Sequence, residues 1–337
     1  MKAFVDPLEQ FVINIPEEWY FTTSFKVSEQ PYGFEPYEER NAAFRISFKK
    51  ITEKTIKLNI ERQPLGQSNL KFVISETDNV KTWLTNTEND YIVIISLVYE
   101  NTLNPEQKRS YLDLADRAGQ SFLLFTEDSK KTILPLIRWN NFMLSYTASI
   151  DLANRAYEKN SFVELVVILA NQIDAVLRQS ITLSNQLKNG SNFIDVGLIY
   201  QKEADKPTME KTVYKKALDE GVIDSTVFDE LTRLYKIRNK VVHRYIISDL
   251  RSNDVIELVG NYGKLYEKLS DDVIELEQRQ FNEKAGIFNT DIRPGSNVND
   301  EHIKSLIYRI RDKHGNRKVN EKISIKLREQ VTKKHSS

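Results

Sequence analysis

The sequence predicts an α+β domain over residues 1–150, an α-helical bundle over residues 151–280, a linker over residues 281–300 and a basic helical tail over residues 301–337. Segments of the first 150 residues alternate between apolar and polar side chains, which is typical of strands with one buried face. From about Asp151 the pattern becomes helical. Between Gly286 and Asp300 Gly, Pro, Asn and Asp are scattered, as in a linker.

Composition limits the classes of protein that fit. A chain of 337 residues with 40% hydrophobic residues can form two domains with real cores. The 48 basic and 48 acidic residues cancel, so a site for a polyanion must be local. The absence of cysteine excludes disulfides, thiolate metal sites and a Cys nucleophile. No apolar run approaches the roughly 20 residues that span a bilayer, so we expect a cytoplasmic protein with no membrane partner.

Five segments of the first domain read as strands. Three of them alternate and so predict one buried face, and Tyr91–Tyr99 is apolar throughout, which predicts a strand covered on both faces. The five segments are Phe44–Lys49, Ile56–Ile60, Leu70–Ile74, Tyr91–Tyr99 and Ser121–Phe125. Helices are predicted around Asn79–Leu84 and over Pro105–Ala118.

The second domain reads as helices. Ser161–Leu187 contains no Pro or Gly and is apolar nearly all round in its first turns, as in the central helix of a bundle. A shorter helix is predicted over Thr208–Glu220 and is stopped by Gly221. Asp224 or Ser225 can cap the next helix, which runs from about Thr226 towards Tyr245. A last long helix is predicted over Asn253–Gln280.

Arg238, Asn239 and His243 are the candidate catalytic residues. Histidine occurs four times, and three of the four lie in the tail, which leaves His243 alone in the two domains. On an ideal helix Arg238 falls near the centre of an apolar stripe, and Asn239 and His243 share a face at its border. The stripe comprises Val227, Leu231, Leu234, Val242 and Tyr245, with Phe228 and Tyr235 at its edge.

An arginine on an apolar face needs a partner. Asp174, on the flank of the buried face of its helix, is the better candidate to neutralise or orient Arg238, whereas Glu164 should face water. Two interpretations stay open. Arg238 is either a member of an internal ion pair that locks the bundle or a cation in a solvated cleft, and the edge position of Asp174 favours the cleft.

The string Arg238-Asn239-Lys240-Val241-Val242-His243 resembles the Arg-polar-x-x-x-His signature of the HEPN superfamily (higher eukaryotes and prokaryotes nucleotide-binding). The resemblance covers about residues 151–280. It implies a small helical bundle with metal-independent ribonuclease activity, common in toxins and antiviral defence proteins, in which two protomers pair their motifs in one cleft. Some members of the superfamily are inactive scaffolds or nucleotide binders, so a non-catalytic protein is the alternative.

The chemistry of these residue types fits attack by the 2′-hydroxyl of RNA on its own phosphate. His243 can act as acid or base, Arg238 can neutralise charge on the phosphoryl oxygens, and Asn239 can position the phosphate or the imidazole. Arg238 and His243 lie about 140° apart on an ideal helix, so we expect a homodimer that supplies a second histidine. We expect no cofactor and no metal, and a toxin would have an antitoxin or regulatory protein as a further partner.

Two further segments carry weaker hypotheses. Ile60-Glu61-Arg62-Gln63 faintly resembles the acidic-x-Lys strand of restriction-endonuclease-like nucleases, but Gln63 stands where the lysine should be; a domain for sensing or binding is the alternative. The tail has eleven Lys or Arg against four Asp or Glu. It is either a solvated helical appendage or an arm that contacts phosphates.

Overall fold

The computed structural model describes residues 1–22, 31–36, 41–50, 63–64, 68, 70–87, 91–202 and 205–289. These residues form two compact units, which divide between Lys131 and Thr132. The predicted order, a strand-rich part followed by a helical part, is confirmed. The predicted strand Ile56–Ile60, residues 290–300 of the predicted linker, and the basic tail lie outside the described residues.

The first unit contains two antiparallel sheets. One has the strand order β1-β2-β10 and the other β3-β4-β5-β9-β8-β7-β6. The strands are β1 Lys2–Val5, β2 Phe11–Ile15, β3 Trp19–Phe21, β4 Tyr32–Pro36, β5 Ala42–Lys50, β6 Gln63–Pro64, β7 Lys71–Glu76, β8 Val80–Asn86, β9 Tyr91–Tyr99 and β10 Leu123–Leu124. Helix α1, Pro105–Gln120, confirms the predicted helix, and its Ala115 and Ala118 are buried in the same apolar cluster as the sheet residues.

The predicted helix around Asn79–Leu84 is wrong, because this segment is strand β8. Trp83 is fully buried and stands opposite Ile95 of β9 in the register. A β-branched and aromatic segment packs well on such a surface, and this packing outweighs helical spacing over so few residues.

Strand β9 exists as predicted, but its predicted burial on both faces is wrong. Val93, Ile95 and Leu97 are fully buried, whereas Ile94 is 37% exposed. Successive side chains of a strand point to opposite faces of the sheet. An uninterrupted apolar run therefore does not require two covered faces.

The second unit is helical. Its helices are α2 Glu127–Glu158, which begins in the first unit, α3 Phe162–Asn189, α4 Val196–Ile199, α5 Glu210–Asp219, α6 Ser225–Arg244 and α7 Ser252–Glu283, with a 3₁₀ turn over Tyr245–Ile247 after α6. No helix is predicted from the sequence over α2, and the predicted domain boundary at residue 150 falls inside this helix. No helix among the described residues combines the length and apolar character that a membrane crossing requires.

Helix α3 is the central helix of this unit, as predicted, since it contacts α4, α5, α6 and α7. Its Val166, Ile173 and Leu177 are fully buried. The helix ends at Asn189, and the following Gly190 has a positive φ of 55°, which glycine adopts without steric cost. The predicted helices over 208–220, 226–245 and 253–280 correspond to α5, α6 and α7.

Polar side chains of α7 form hydrogen bonds inside the helical unit. The Gln280 side chain donates to the Gln186 side chain at 2.9 Å and accepts from the Phe288 backbone N–H at 3.1 Å, which holds the segment after α7. Glu277 accepts a hydrogen bond from Gln179 at 2.9 Å. Burial raises the pKa of Glu277 to about 7, and the hydrogen bond from Gln179 opposes this shift only in part.

Candidate functional site

Helix α6 carries all three candidate catalytic residues. The Asp224 side chain caps it by accepting the Val227 N–H at 2.8 Å, which confirms one of the two predicted caps. The buried face comprises Val227, Leu231, Leu234 and Val241. The predicted stripe is therefore wrong at its C-terminal end, where Val242 and Tyr245 are exposed. Because α6 ends at Arg244, Tyr245 lies in the following turn and no longer continues the helical face.

Arg238 forms an ion pair with Glu210, the first residue of α5. The guanidinium Nη2 donates to Glu210 Oε1, and the two side chains are only 15% and 20% exposed. The Tyr214 hydroxyl donates to the other carboxylate oxygen at 3.2 Å. Burial alone would lower the pKa of Arg238, but the Glu210 carboxylate reverses this and the pKa lies above its usual range. The guanidinium is therefore permanently charged.

Three tyrosines surround the ion pair. The Arg238 Cζ lies 5.0 Å from the centre of the Tyr235 ring, which packs edge-on against Tyr214. Burial raises the pKa of Tyr262 to about 12, and the neighbouring Arg238 opposes that rise. Among the described residues, neither the Tyr262 hydroxyl nor Arg238 Nε has a hydrogen-bond partner of acceptable geometry. The cluster holds the guanidinium in one place.

The predicted partnership of Asp174 with Arg238 is wrong. Asp174 Oδ2 accepts from Arg178 Nε at 2.6 Å, one turn along the same helix, where such pairs form readily. Arg178 in turn donates to the carbonyl oxygens of Leu198 at 2.5 Å and Thr208 at 3.4 Å. Asp174 thus orients an arginine that holds the chain two residues before Glu210.

Glu210 is not among the site residues predicted from the sequence. It lies in the first turn of a predicted helix, where an acidic residue is common because it favours the helix dipole. The only available signal was the apolar position of Arg238, which requires a carboxylate but does not say which one. The prediction that Arg238 sits in a solvated cleft also differs from the structure, in which the side chain is largely buried.

His243 and Asn239 differ from Arg238 in their surroundings. His243 is exposed in the last turn of α6, and Asn239 is half-buried. An ideal helix separates Arg238 and His243 by about 140°. The single chain accordingly directs Arg238 to the buried side of α6 and His243 to solvent, and does not bring them together.

An apolar patch flanks His243 in the sequence. It comprises Val242, Tyr245, Ile246 and Ile247, all exposed, with Ile246 at 94% and Ile247 at 82%. Contiguous exposed apolar side chains commonly mark an interaction surface. We refer to these four residues as the α6 apolar patch.

No group of three or more His, Cys, Asp or Glu side chains is placed to hold a metal ion in the part of the chain that the structure describes. The region predicted to resemble a nuclease strand is only partly described, since Glu61 and Arg62 lie outside it and Gln63 belongs to the short strand β6.

Comparison with known proteins found no matching family model, no matching curated protein and no matching solved structure. The resemblance to the HEPN superfamily accordingly stays a prediction from the sequence.

Proposed function

We propose that the chain is a metal-independent endoribonuclease that acts as a homodimer, with His243, Asn239 and Arg238 of α6 as its site residues. The observation that carries this proposal is the position of His243. Its imidazole is exposed, one turn after Asn239, and forms no hydrogen bond or ion pair with another described residue. Such an imidazole is available to a substrate, and imidazole is the side chain that serves most often as general acid or base.

The reaction needs one proton acceptor and one proton donor. The acceptor takes the proton of the 2′-hydroxyl, whose oxygen attacks the adjacent phosphorus. The bond from phosphorus to the 5′-oxygen breaks, and the donor protonates that oxygen, which leaves a 2′,3′-cyclic phosphate and a 5′-hydroxyl. Two imidazoles, one from each chain, supply both roles, and each role contributes roughly 10²–10⁴-fold.

The α6 apolar patch supports pairing of two chains beside His243. Burial of the exposed side chains of Ile246 and Ile247 is favourable because it removes apolar surface from water. His243 lies only a few residues before them in the sequence. A second chain seated on this patch would bring its own His243 close to the first. The dimer would thereby place a proton acceptor and a proton donor at one site.

A non-catalytic scaffold on the same helical unit is the second candidate. The Arg238–Glu210 ion pair favours it, because a largely buried arginine with a protein carboxylate is already neutralised without any substrate. In the proposed ribonuclease, Glu210 instead orients the guanidinium of Arg238. Only the exposed part of that guanidinium contacts the phosphate.

The test is cleavage of an end-labelled RNA in the presence of EDTA. We expect wild-type protein to cut it and to leave a 2′,3′-cyclic phosphate. His243→Gln, which keeps a hydrogen-bonding side chain but cannot titrate, should lose cleavage by at least about 10²-fold. Equal cleavage by both proteins would point to a contaminant and overturn the assignment, and cleavage by neither would favour the scaffold.

A further inference from the structure

We propose that the exposed side of the C-terminal half of α6 binds the phosphate backbone of an RNA strand, through Lys236, Lys240 and Arg244 beside His243. We refer to these three cations as the α6 basic face. The proposal rests on the proposed function, since it supplies the substrate contacts of the same site, but binding and cleavage are measured separately below.

The geometry of α6 places these side chains on one surface. Lys236, Lys240 and His243 stand at helical positions i, i+4 and i+7, and together with Arg244 they span an arc of about 100° on an ideal helix. All four side chains are exposed. From Lys236 to Arg244 the helix rises about 12 Å, so the surface contacts more than one phosphate.

The charges of this surface are not neutralised by the protein. No acidic residue occurs between Leu231 and Ser248. None of the three cations of the α6 basic face lies within ion-pair distance of a carboxylate in the described residues. The neighbouring Arg233, by contrast, pairs with Glu230 at 2.7 Å. In a chain whose formal charges cancel overall, this is a local concentration of positive charge.

Stabilisation of α6 does not account for the pattern. Cations in the last turn of a helix interact favourably with its dipole, which explains Arg244 and His243. Lys236 lies two turns before the end, beyond the reach of that effect. Lys236 and Lys240 repel each other at i, i+4, which weakens a helix. A polyanion removes this repulsion and releases its own counterions.

The experiment measures binding of a fluorescein-labelled, single-stranded 20-mer RNA whose 2′-hydroxyls are all methylated, so that it cannot be cleaved. Fluorescence anisotropy gives the Kd between about 50 and 200 mM KCl, the range over which phosphate contacts change affinity strongly. The variant is Lys236→Gln/Lys240→Gln. The matched control is Lys264→Gln/Lys268→Gln, which removes two exposed lysines at the same spacing from α7.

We expect the α6 variant to bind at least about tenfold more weakly than wild type and to reduce the slope of log K against log salt by about 1.4, or about 0.7 for each lost phosphate contact. The control should change Kd by less than about twofold, and circular dichroism should show that both variants keep their helices. Equal effects of the two variants, or tighter binding of DNA with the same sequence, would overturn the proposal.

The two proposals fail in different ways. RNA that binds through the α6 basic face but is never cleaved would refute the ribonuclease and leave the binding surface standing. Cleavage by wild type together with an unchanged Kd for the α6 variant would refute the binding surface alone.

Discussion

Removal of the Arg238 side chain should destabilise the helical unit far more than removal of an exposed arginine on the same helix. In Arg238→Ala the Glu210 carboxylate stays largely buried without its cation. Breaking a fully buried ion pair by removing one partner costs about 3–5 kcal/mol. Because the two side chains keep 15% and 20% exposure, we expect about 2–4 kcal/mol.

The matched control is Arg233→Ala. Arg233 pairs with Glu230 three residues earlier on α6, but the two side chains are 49% and 37% exposed. Solvent screens such a pair, so its loss should cost about 0–1 kcal/mol. The comparison keeps the residue type and the helix constant, and it contrasts a largely buried pair between two helices with an exposed pair within one helix.

A double-mutant cycle isolates the interaction. The variant Arg238→Leu/Glu210→Leu removes both charges. Its loss of unfolding free energy should be smaller, by about 2 kcal/mol or more, than the summed losses of the single variants Arg238→Leu and Glu210→Leu. Urea unfolding followed by circular dichroism at 222 nm reports on the helices. A cost below about 0.5 kcal/mol for Arg238→Ala, or additive costs in the cycle, would refute the reasoning.

Three further outcomes follow from other parts of the helical unit. Ile247→Asp should convert a dimer to a monomer by light scattering and reduce cleavage, whereas Ile274→Asp, an exposed isoleucine on α7, should do neither; a monomeric wild type that cleaves RNA would contradict this. Because burial raises the pKa of Glu277 to about 7, the folded state holds a proton that the unfolded state has lost, so stability should fall as pH rises from about 4.5 to about 7 and stay low above it. Glu277→Gln should reduce that fall and raise stability at pH 8 by up to about 3 kcal/mol; parallel pH–stability curves for the two proteins would contradict the pKa. Gly286→Ala should lower the melting temperature, because φ is 78° and an added Cβ would lie 2.2 Å from the Gln280 side chain; an unchanged melting curve would show that Gln280 can move aside.

The helices of the second unit could be predicted because their signals are local. Asp224 as a cap and Gly221 as a C-terminal stop act within a few residues of themselves. The same is true of the apolar pattern of α3, which makes its central position visible in the sequence. Strand β8 could not be predicted in this way, because Trp83 is buried by β9 and the rest of its unit, which a window of seven residues does not contain.

The candidate site was predictable only in part. The apolar position of Arg238 and the polar border position of His243 follow from helical spacing. The pairing of Arg238 with Glu210 does not follow from helical spacing, because the two residues are 28 positions apart. Their contact depends on how α5 packs against α6. The preference for Asp174 failed because Arg178, one turn away, satisfies that carboxylate first.

The different burial of Arg238 and His243 bears on how such a chain would change during evolution. Substitutions of the exposed His243 should cost the fold little, so a lineage of the proposed ribonuclease released from selection for cleavage can lose the histidine freely. Substitutions of Arg238 remain costly in that lineage as long as Glu210 is present. In such a lineage the arginine should therefore outlast the histidine, and an Arg-Asn string would persist after its histidine is gone.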